Sequence, residues 1–243
     1  MGGSCLAERL SHYVRLSANE QAALERLEAQ ERGFRRGAVV ISEGDSEREL
    51  FIVRSGWLHS SVVLGTGARQ IMRFHFKGDI VGLPLLAFGD SPETITAVTE
   101  VALAPFGRER LVSVIAEHPR VAALLLSLAV AGRVSLADRL ASIGRTSARA
   151  RVAALLCEIH GRMRLLGLAD NGAMQLPLTQ EDIGDATGLT SVHVNRMMRR
   201  LAEEGMIERS GNQLKVLDEE RLCAVAAFAD RTGLDTAWLP KPA

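Results

Sequence analysis

The chain has 243 residues, of which 47% are hydrophobic and 24% charged, and its 29 basic side chains are balanced by 29 acidic ones. This composition is typical of a soluble globular protein with two ordinary domains, and it excludes a disordered or fibrous chain. The zero net charge excludes a uniformly basic nucleic-acid binder.

No targeting or membrane segment is recognisable in the sequence. Met1–Leu10 lacks the basic segment followed by an apolar one that marks a secretory signal. The longest apolar run, Val121–Ala131, is interrupted by Ser127 and is too short to span a bilayer. We therefore expect a cytoplasmic protein with no membrane partner.

The three cysteines are scattered along the chain and predict no disulfide framework and no CxxC site. They are Cys5, Cys157 and Cys223. Cys157 falls in an apolar helical pattern, so a buried, inert thiol is the favoured interpretation, and a single-thiol redox sensor is the alternative.

The N-terminal half predicts a helix followed by a β-rich domain. Ser17 and Glu20 have the spacing of a capping box, which predicts a helix to about Glu31 that Gly33 ends. From Phe34 to Phe106, β-branched runs are cut by glycine: AVVI, ELFIVRSG, SSVVLGTGARQIMRF, GDIVG and ITAVTEVALAPF. This spacing predicts a small antiparallel barrel or jelly roll.

A long helical region follows from about Glu109 to Gly144, with a break at His118 and Pro119. It is apolar nearly all round near Leu124, which predicts burial on two sides, by the barrel and by a partner subunit. An intrachain core helix is the alternative. The predicted dimer interface is an approximate heptad seam of Leu125, Ala129, Gly132, Leu136 and Ile143.

A helix-turn-helix lies downstream of a hinge at Gly144–Ser147 and a helix from Ala148 to about Leu166. Thr179 and Asp182 predict the capped start of its first helix, and Gly188 supplies the permissive backbone that a sharp turn needs. Thr190 is the N-cap candidate of its second helix. Val194, Met197, Met198 and Leu201 recur at helical spacing and are predicted to face the core.

The opposite face of this second helix predicts contact with the major groove of DNA. Val192, Asn195, Arg196 and Arg199 form one stripe at i, i+3, i+4 and i+7, and no acid occurs between Leu189 and Ala202. Arginine pairs with guanine, asparagine with adenine, and valine packs on the thymine methyl. The candidate DNA-binding residues are Thr190, Ser191, Val192, His193, Asn195, Arg196, Arg199 and Arg200.

Two short strands are predicted from Ile207 to Val216 around Ser210–Asn212, which makes the motif a winged helix-turn-helix. The segment LTQEDIGDATGLTSVHVNRMMRRLAEEGMIERSGNQLKV resembles the DNA-binding domain of the Crp/Fnr family of bacterial transcription regulators. The order helix, barrel, long helix and winged helix-turn-helix is similar to the architecture of that whole family.

The resemblance implies an α+β protein with three parts. Residues 1–108 are expected to form a β jelly-roll sensor barrel, related to cyclic-nucleotide-binding domains, with N-terminal helices. Residues 109–144 are expected to hold the long dimerisation helix, and residues 145–243 the winged helix-turn-helix domain with an extra C-terminal helix. That extra helix is predicted from Asp218 to about Asp230, and we assign it no role.

The resemblance also implies a dimer that reads an inverted repeat, with RNA polymerase as a partner. The family's cyclic-nucleotide sensors hold the phosphate with a glycine-glutamate pair and an arginine beside serine or threonine. The matching residues here are Gly82 with Leu83 and Glu93 with Thr94. A glutamate in place of the arginine repels an anion, so we expect no ordinary binding of cyclic AMP or cyclic GMP.

The same resemblance allows effectors other than cyclic nucleotides. Cys5 stands alone near the N-terminus and cannot ligate the iron–sulfur cluster of the family's oxygen sensors. No cofactor is predicted; a haem or other small-ligand sensor is the alternative to an effector-free regulator. The histidines considered as haem ligands are His12, His59, His75 and His118, none of them in a diagnostic motif.

Two further classes of function were considered. A cupin-like metal enzyme would need clustered ligands, but His59 and His75 are isolated in sequence, and no nucleophile motif or phosphate loop occurs. A winged helix that binds protein instead of DNA is the other class. The motif favours a regulator and not an enzyme.

Overall fold

The structure, a computed structural model, describes residues 3–46 and 49–241, so the outer limits of the two terminal domains expected from the sequence lie outside the described residues. The described chain holds eight α-helices and twelve β-strands. It divides into two compact units. One contains the residues up to Val130 together with the segment from Leu234, and the other is Ala131–Gly233.

The first unit is a β-sandwich with helices on one side. Its strands are β1 (Arg32–Phe34), β2 (Val39–Ile41), β3 (Glu49–Ser55), β4 (Leu58–Val63), β5 (Arg69–His75), β6 (Ile80–Val81), β7 (Thr94–Ala97) and β8 (Val101–Gly107). They form two four-stranded antiparallel sheets, in the orders β1-β8-β3-β6 and β2-β7-β4-β5. The predicted jelly roll is therefore confirmed.

Four helices belong wholly or partly to this unit. They are α1 (Cys5–Ser11), α2 (Ala18–Leu27), α3 (Arg108–Glu117) and the first part of α4 (Pro119–Arg145). Strand β3 shows how they attach, because alternate residues of a strand point to opposite faces. Phe51 and Val53 enter the core between the sheets, whereas Leu50 and Ile52 enter a second core against the helices.

Helix α4 begins at the predicted break and ends at Arg145, one residue beyond the long helical region that the sequence predicts. By length and composition alone it could cross a membrane, which the shorter run Val121–Ala131 could not. Its N-terminal part has another role, since Val121 and Leu124 are fully buried in the core beneath the helices of the first unit. Packing within the chain thus accounts for Val121 and Leu124, whereas only 17% of the apolar window of α4 is buried.

The second unit contains the rest of α4, then α5 (Ala148–Leu165), β9 (Ala169–Asp170), β10 (Ala173–Gln175), α6 (Gln180–Thr187), α7 (Ser191–Glu203), β11 (Ile207–Ser210), β12 (Gln213–Val216) and α8 (Glu219–Ala226). Its four strands form one antiparallel sheet in the order β11-β12-β10-β9. The helical break at residue 118 and the interruption between α4 and α5 lie where the sequence predicts them.

Some elements differ from the sequence predictions. Helix α1 was not predicted. It begins at the N-cap Ser4, where the buried Glu28 carboxylate accepts hydrogen bonds from the Ser4 hydroxyl at 2.6 Å and the Leu6 amide at 2.9 Å. Helix α2 ends at Leu27, not near Glu31, and Glu28 is left at its C-cap to make these bonds.

The last helix is also shorter than predicted. It stops at Ala226 instead of about Asp230, because Ala227 adopts a left-handed conformation with φ 48°. No glycine marks this stop in the sequence. The segment from Leu234 then returns to the first unit, where Leu239 packs against the core beneath the helices.

Candidate nucleic-acid interface

Helix α6 begins with a reciprocal capping box, as predicted. The Asp182 amide donates to the Thr179 hydroxyl at 3.0 Å, and the Asp182 carboxylate accepts from the Thr179 amide at 3.0 Å. The helix ends at Gly188, whose φ of 67° suits glycine. A Cβ at Gly184 would clash with the carbonyl oxygen of Leu189, so glycine there permits the tight turn.

Helix α7 follows at once and is held by its apolar face. Thr190 is its N-cap, and the Thr190 hydroxyl accepts from the His193 amide at 3.3 Å. The four residues predicted to face the core are all buried: Val194, Met197, Met198 and Leu201. Helix α7 packs on α5 and α6, so its opposite face is directed to solvent.

The solvent-directed face carries all eight predicted DNA-binding residues, and each is exposed. Val192 is 78% exposed, so its methyl groups are available for contact with a ligand. A shallow open depression on this face is lined by Gln180, Ser191, Val192, Asn195, Arg196 and Arg199. The structure thus brings together five of the eight predicted residues.

Gln180 was missed by the sequence interpretation. It is the first residue of α6, and its Oε1 atom is buried yet accepts no hydrogen bond from the described residues. The sequence signal was its position directly after the N-cap Thr179, because the first turn of a helix carries free amides that attract phosphate. Gln180 therefore joins the candidate interface.

The remaining three predicted residues lie around this depression. Thr190 and His193 are joined at the start of α7 by the capping bond, and Arg200 pairs with Glu204 one turn later at 2.9 Å. Arg149 pairs with the same carboxylate. The hydrogen bond from Arg200 lowers the pKa of Glu204, and the charge of Arg149 lowers it further.

Arg196 and Arg199 differ from Arg200 in having no ion pair among the residues that the structure describes. Their guanidinium donors, with the Asn195 amide and the Val192 methyl groups, point away from the domain core. This set provides bidentate donors, an amide and an apolar contact, the groups that read base edges in a major groove.

The hairpin of β11 and β12 is fixed beside α6. Arg209 donates to the carbonyl oxygen of Leu178 at 2.8 Å and to that of Gly211 at 3.3 Å. Burial lowers the pKa of Arg209. Because Arg209 bridges the hairpin and the segment that enters α6, it positions the wing relative to the helix-turn-helix.

Three of the residues matched to the family's phosphate loop, Gly82, Glu93 and Thr94, lie in the first unit and have different surroundings. Gly82 has φ 87° and precedes a 3₁₀ turn, Leu83–Leu86. The pKa of Glu93 is raised, because burial disfavours the charged carboxylate. A hydrogen bond with Ser60 and the charge of Arg73 act in the opposite direction but do not cancel this effect. The Thr94 hydroxyl accepts from the Glu43 amide at 3.1 Å. An acidic side chain of this kind does not fit an anionic phosphate.

The histidines do not form a metal centre in the described chain. His59 and His75 are buried on β4 and β5, whereas His12 and His118 lie at helix ends. No group of three or more His, Cys, Asp or Glu side chains that could hold a metal ion occurs within residues 3–46 and 49–241.

The predicted dimer seam is divided by the structure. Leu125 packs against the core of the first unit, Gly132 is buried and Ile143 is half-buried. Ala129 and Leu136 are exposed. Helix α4 also exposes three large apolar side chains that the sequence interpretation did not select, namely Leu126, Val130 and Leu140.

Comparison with known proteins agrees with this geometry. Residues 31–118 match the family model for a cyclic nucleotide-binding domain, and residues 150–225 match that for a Crp-like helix-turn-helix domain. The structure of FixK2 from Bradyrhizobium japonicum is similar, with a TM-score of 0.71 and 28% identity, and the match covers 83% of this chain and 98% of that one.

Two relatives are similar over most of their length. The nitrogen fixation regulation protein FixK of Bradyrhizobium diazoefficiens is 34% identical over 80% of this chain and 81% of its own. The transcriptional activator protein FnrA of Stutzerimonas stutzeri is 26% identical over 93% of this chain and 92% of its own. The chain therefore belongs to the Crp/Fnr family of transcription regulators, which bind DNA through a helix-turn-helix domain and are not enzymes.

Proposed function

We propose that this chain binds an inverted-repeat DNA site as a homodimer, and that it does so without a cyclic nucleotide. The observation that carries the proposal is the solvent-directed face of α7, where Arg196 and Arg199 have no ion pair in the described chain beside a 78% exposed Val192. An arginine pair of this kind is available to DNA without first breaking an internal salt bridge.

Each residue of the depression has a role that its chemistry supports. Arg196 donates two hydrogen bonds to guanine, Asn195 pairs with adenine, and Val192 contacts a thymine methyl group. Gln180 and Arg199 are assigned to phosphate contacts, which set the orientation of α7 in the groove. Arg200, already paired with Glu204, contributes less.

The exposed apolar side chains of α4 support a second copy of this chain as the partner. Leu126 is 58% exposed, Val130 48% and Leu140 73%, and an uncovered leucine stripe on a helix is a typical packing surface between subunits. This stripe lies one position, or about 100°, round the helix from the predicted seam. Ala129 and Leu136 remain in the proposed interface, whereas Leu125, Gly132 and Ile143 are assigned to packing within the chain.

Independence from cyclic nucleotides rests on Glu93. Ser60 and Arg73 face its carboxylate. The positive charge of Arg73 is therefore already matched by Glu93, and a phosphate would have to compete with that carboxylate for it. Binding an anion there would place two like charges together in a partly buried site, which is unfavourable.

A dimer on promoter DNA acts through RNA polymerase, which we propose as the protein partner in the cytoplasm.

The proposal is tested by selecting bound duplexes from a random DNA pool with purified protein and no added ligand. We expect enrichment of an inverted repeat whose half-sites are about one helical turn, or 34 Å, apart. The control is the same selection with a double variant, Asn195→Ala and Arg196→Ala. Folded dimeric protein that enriches no sequence would contradict effector-free binding.

A further inference from the structure

Two of the three cysteines meet inside the second unit, although 66 residues separate them in sequence. Cys157 on α5 and Cys223 on α8 are both free thiols, and their Sγ atoms are 3.2 Å apart. A disulfide has an S–S distance of about 2.05 Å, so the sulfurs need to approach by about 1.2 Å.

The neighbouring residues show that the two helices are in fixed register at this point. His160 lies one turn after Cys157 on α5, and Glu219 lies one turn before Cys223 on α8. His160 Nδ1 is 3.5 Å from Glu219 Oε1. The cysteine pair is therefore one of two facing pairs along the same contact between helices, and it does not depend on a mobile loop.

The two thiols differ in access to solvent. Cys157 is only 4% exposed, while Cys223 is half-buried at the edge of the contact. Burial raises the pKa of the Cys157 thiol, and the Cys223 thiol and the Glu219 carboxylate raise it further. Because the thiolate is the nucleophile, Cys157 is protected from direct oxidation and Cys223 is the thiol that an oxidant meets first.

We propose that Cys157 and Cys223 form a reversible disulfide when the protein meets a hydroperoxide. The Cys223 thiol loses its proton, the thiolate attacks one peroxide oxygen, and the O–O bond breaks. The hydroxide that leaves takes up that proton, so hydrogen peroxide gives a sulfenic acid and water. The Cys157 sulfur then attacks Cys223 Sγ, the S–O bond breaks, and its proton leaves with the oxygen as a second water. Two thiols lose two electrons, and the peroxide gains them.

The disulfide encloses the DNA-binding motif. The chain between the two cysteines contains α6, α7 and the wing, and the bond fixes α8 to α5, the helix on which α7 packs. Closing a loop of this length restricts the unfolded chain, which stabilises the folded unit. Reduction by a cellular thiol restores the starting state, as expected for a cysteine pair in a reducing compartment.

The test is peroxide titration of the full-length protein, followed by thiol counting and peptide mapping under non-reducing conditions. We expect a bond between Cys157 and Cys223 within one chain, a loss of two hydrogen atoms in mass, and a melting temperature of the second unit raised by about 10–20 °C. Cys5→Ser is the matched control, because Cys5 is buried in the other unit and its loss should leave all three results unchanged.

Two variants separate the chemistry from a general folding defect. Cys157→Ser should accumulate a sulfenic acid on Cys223 that a dimedone probe labels, whereas Cys223→Ser should give neither the label nor the bond. Both variants should melt close to the reduced wild-type protein in the presence of reductant. A folded wild-type protein that forms no Cys157–Cys223 bond, or that crosslinks through Cys5 instead, would overturn the proposal.

Discussion

Arg196 and Arg200 are one turn apart on α7 and yet have different surroundings. Arg200 is bound by Glu204 at 2.9 Å, whereas Arg196 lines the open depression and has no ion pair among the described residues. An arginine in a salt bridge must break or share that salt bridge before all its guanidinium donors can bind DNA. The two residues therefore make a matched pair for testing which side chains read bases.

Arg196→Ala is expected to weaken binding to the selected site by about 1–3 kcal/mol, because the variant loses a bidentate contact to guanine. Fluorescence anisotropy with the selected duplex and a scrambled one measures this. Arg200→Ala, the control, should cost less on the selected duplex. An equal loss on both duplexes for Arg196→Ala would make Arg196 a phosphate contact only.

Val192→Glu is expected to change base preference at one position of each half-site. Valine favours the thymine methyl group, whereas a carboxylate accepts a hydrogen bond from the cytosine amino group. Val192 is 78% exposed, so the change should not disturb folding. Repeating the duplex selection with the variant shows the preferred base, and an unchanged consensus would remove Val192 from the set of base contacts.

At the scale of elements, the helix starts were predictable because their signals are local. Thr179 with Asp182 and Thr190 occupy the caps that the sequence assigns to them, and Gly188 ends α6. Helix α1 was not predictable in the same way. It is seven residues long, and its N-terminus depends on the carboxylate of Glu28, which the sequence cannot place beside Ser4.

The candidate site shows the same division between local and distant information. Periodicity identified the exposed face of α7, since every third or fourth residue of a helix shares a side. Gln180 lies on α6, so the periodicity of α7 does not include it, and the turn between the two helices brings it to the same depression. The dimer face that we propose differs from the predicted seam because periodicity alone did not reveal that Leu125 packs against the core of its own unit.

Leu140→Glu is expected to shift the protein from dimer to monomer. Leu140 is 73% exposed on α4, and a charge at a packed subunit interface is unfavourable. Sedimentation or light scattering across a concentration series measures the change. Leu168→Glu is the matched control, because Leu168 is 50% exposed outside α4 and its substitution should leave the dimer intact. A Leu140→Glu protein that remains dimeric at low concentration would remove this stripe from the interface.

For the whole molecule, the match of residues 31–118 to a cyclic nucleotide-binding domain shows the family of that domain, and the absence of its ligand is our prediction. We expect calorimetry with cyclic AMP and cyclic GMP to show no binding at micromolar concentration, because Glu93 presents a carboxylate where a cation would be needed. DNA affinity should be the same with and without either nucleotide. Micromolar binding of either one would refute the assignment of Glu93.

The return of the C-terminal segment to the first unit also determines how the protein would respond to force. Both Gly3 and Lys241 belong to that unit, so the second unit is inserted within it and is joined to it by two covalent connections. Tension applied to the two ends acts first on the short segment that holds Leu239 in its apolar core. Because both ends lie in the first unit, the second unit bears no load until that segment has detached, and the first unit shields it from tension.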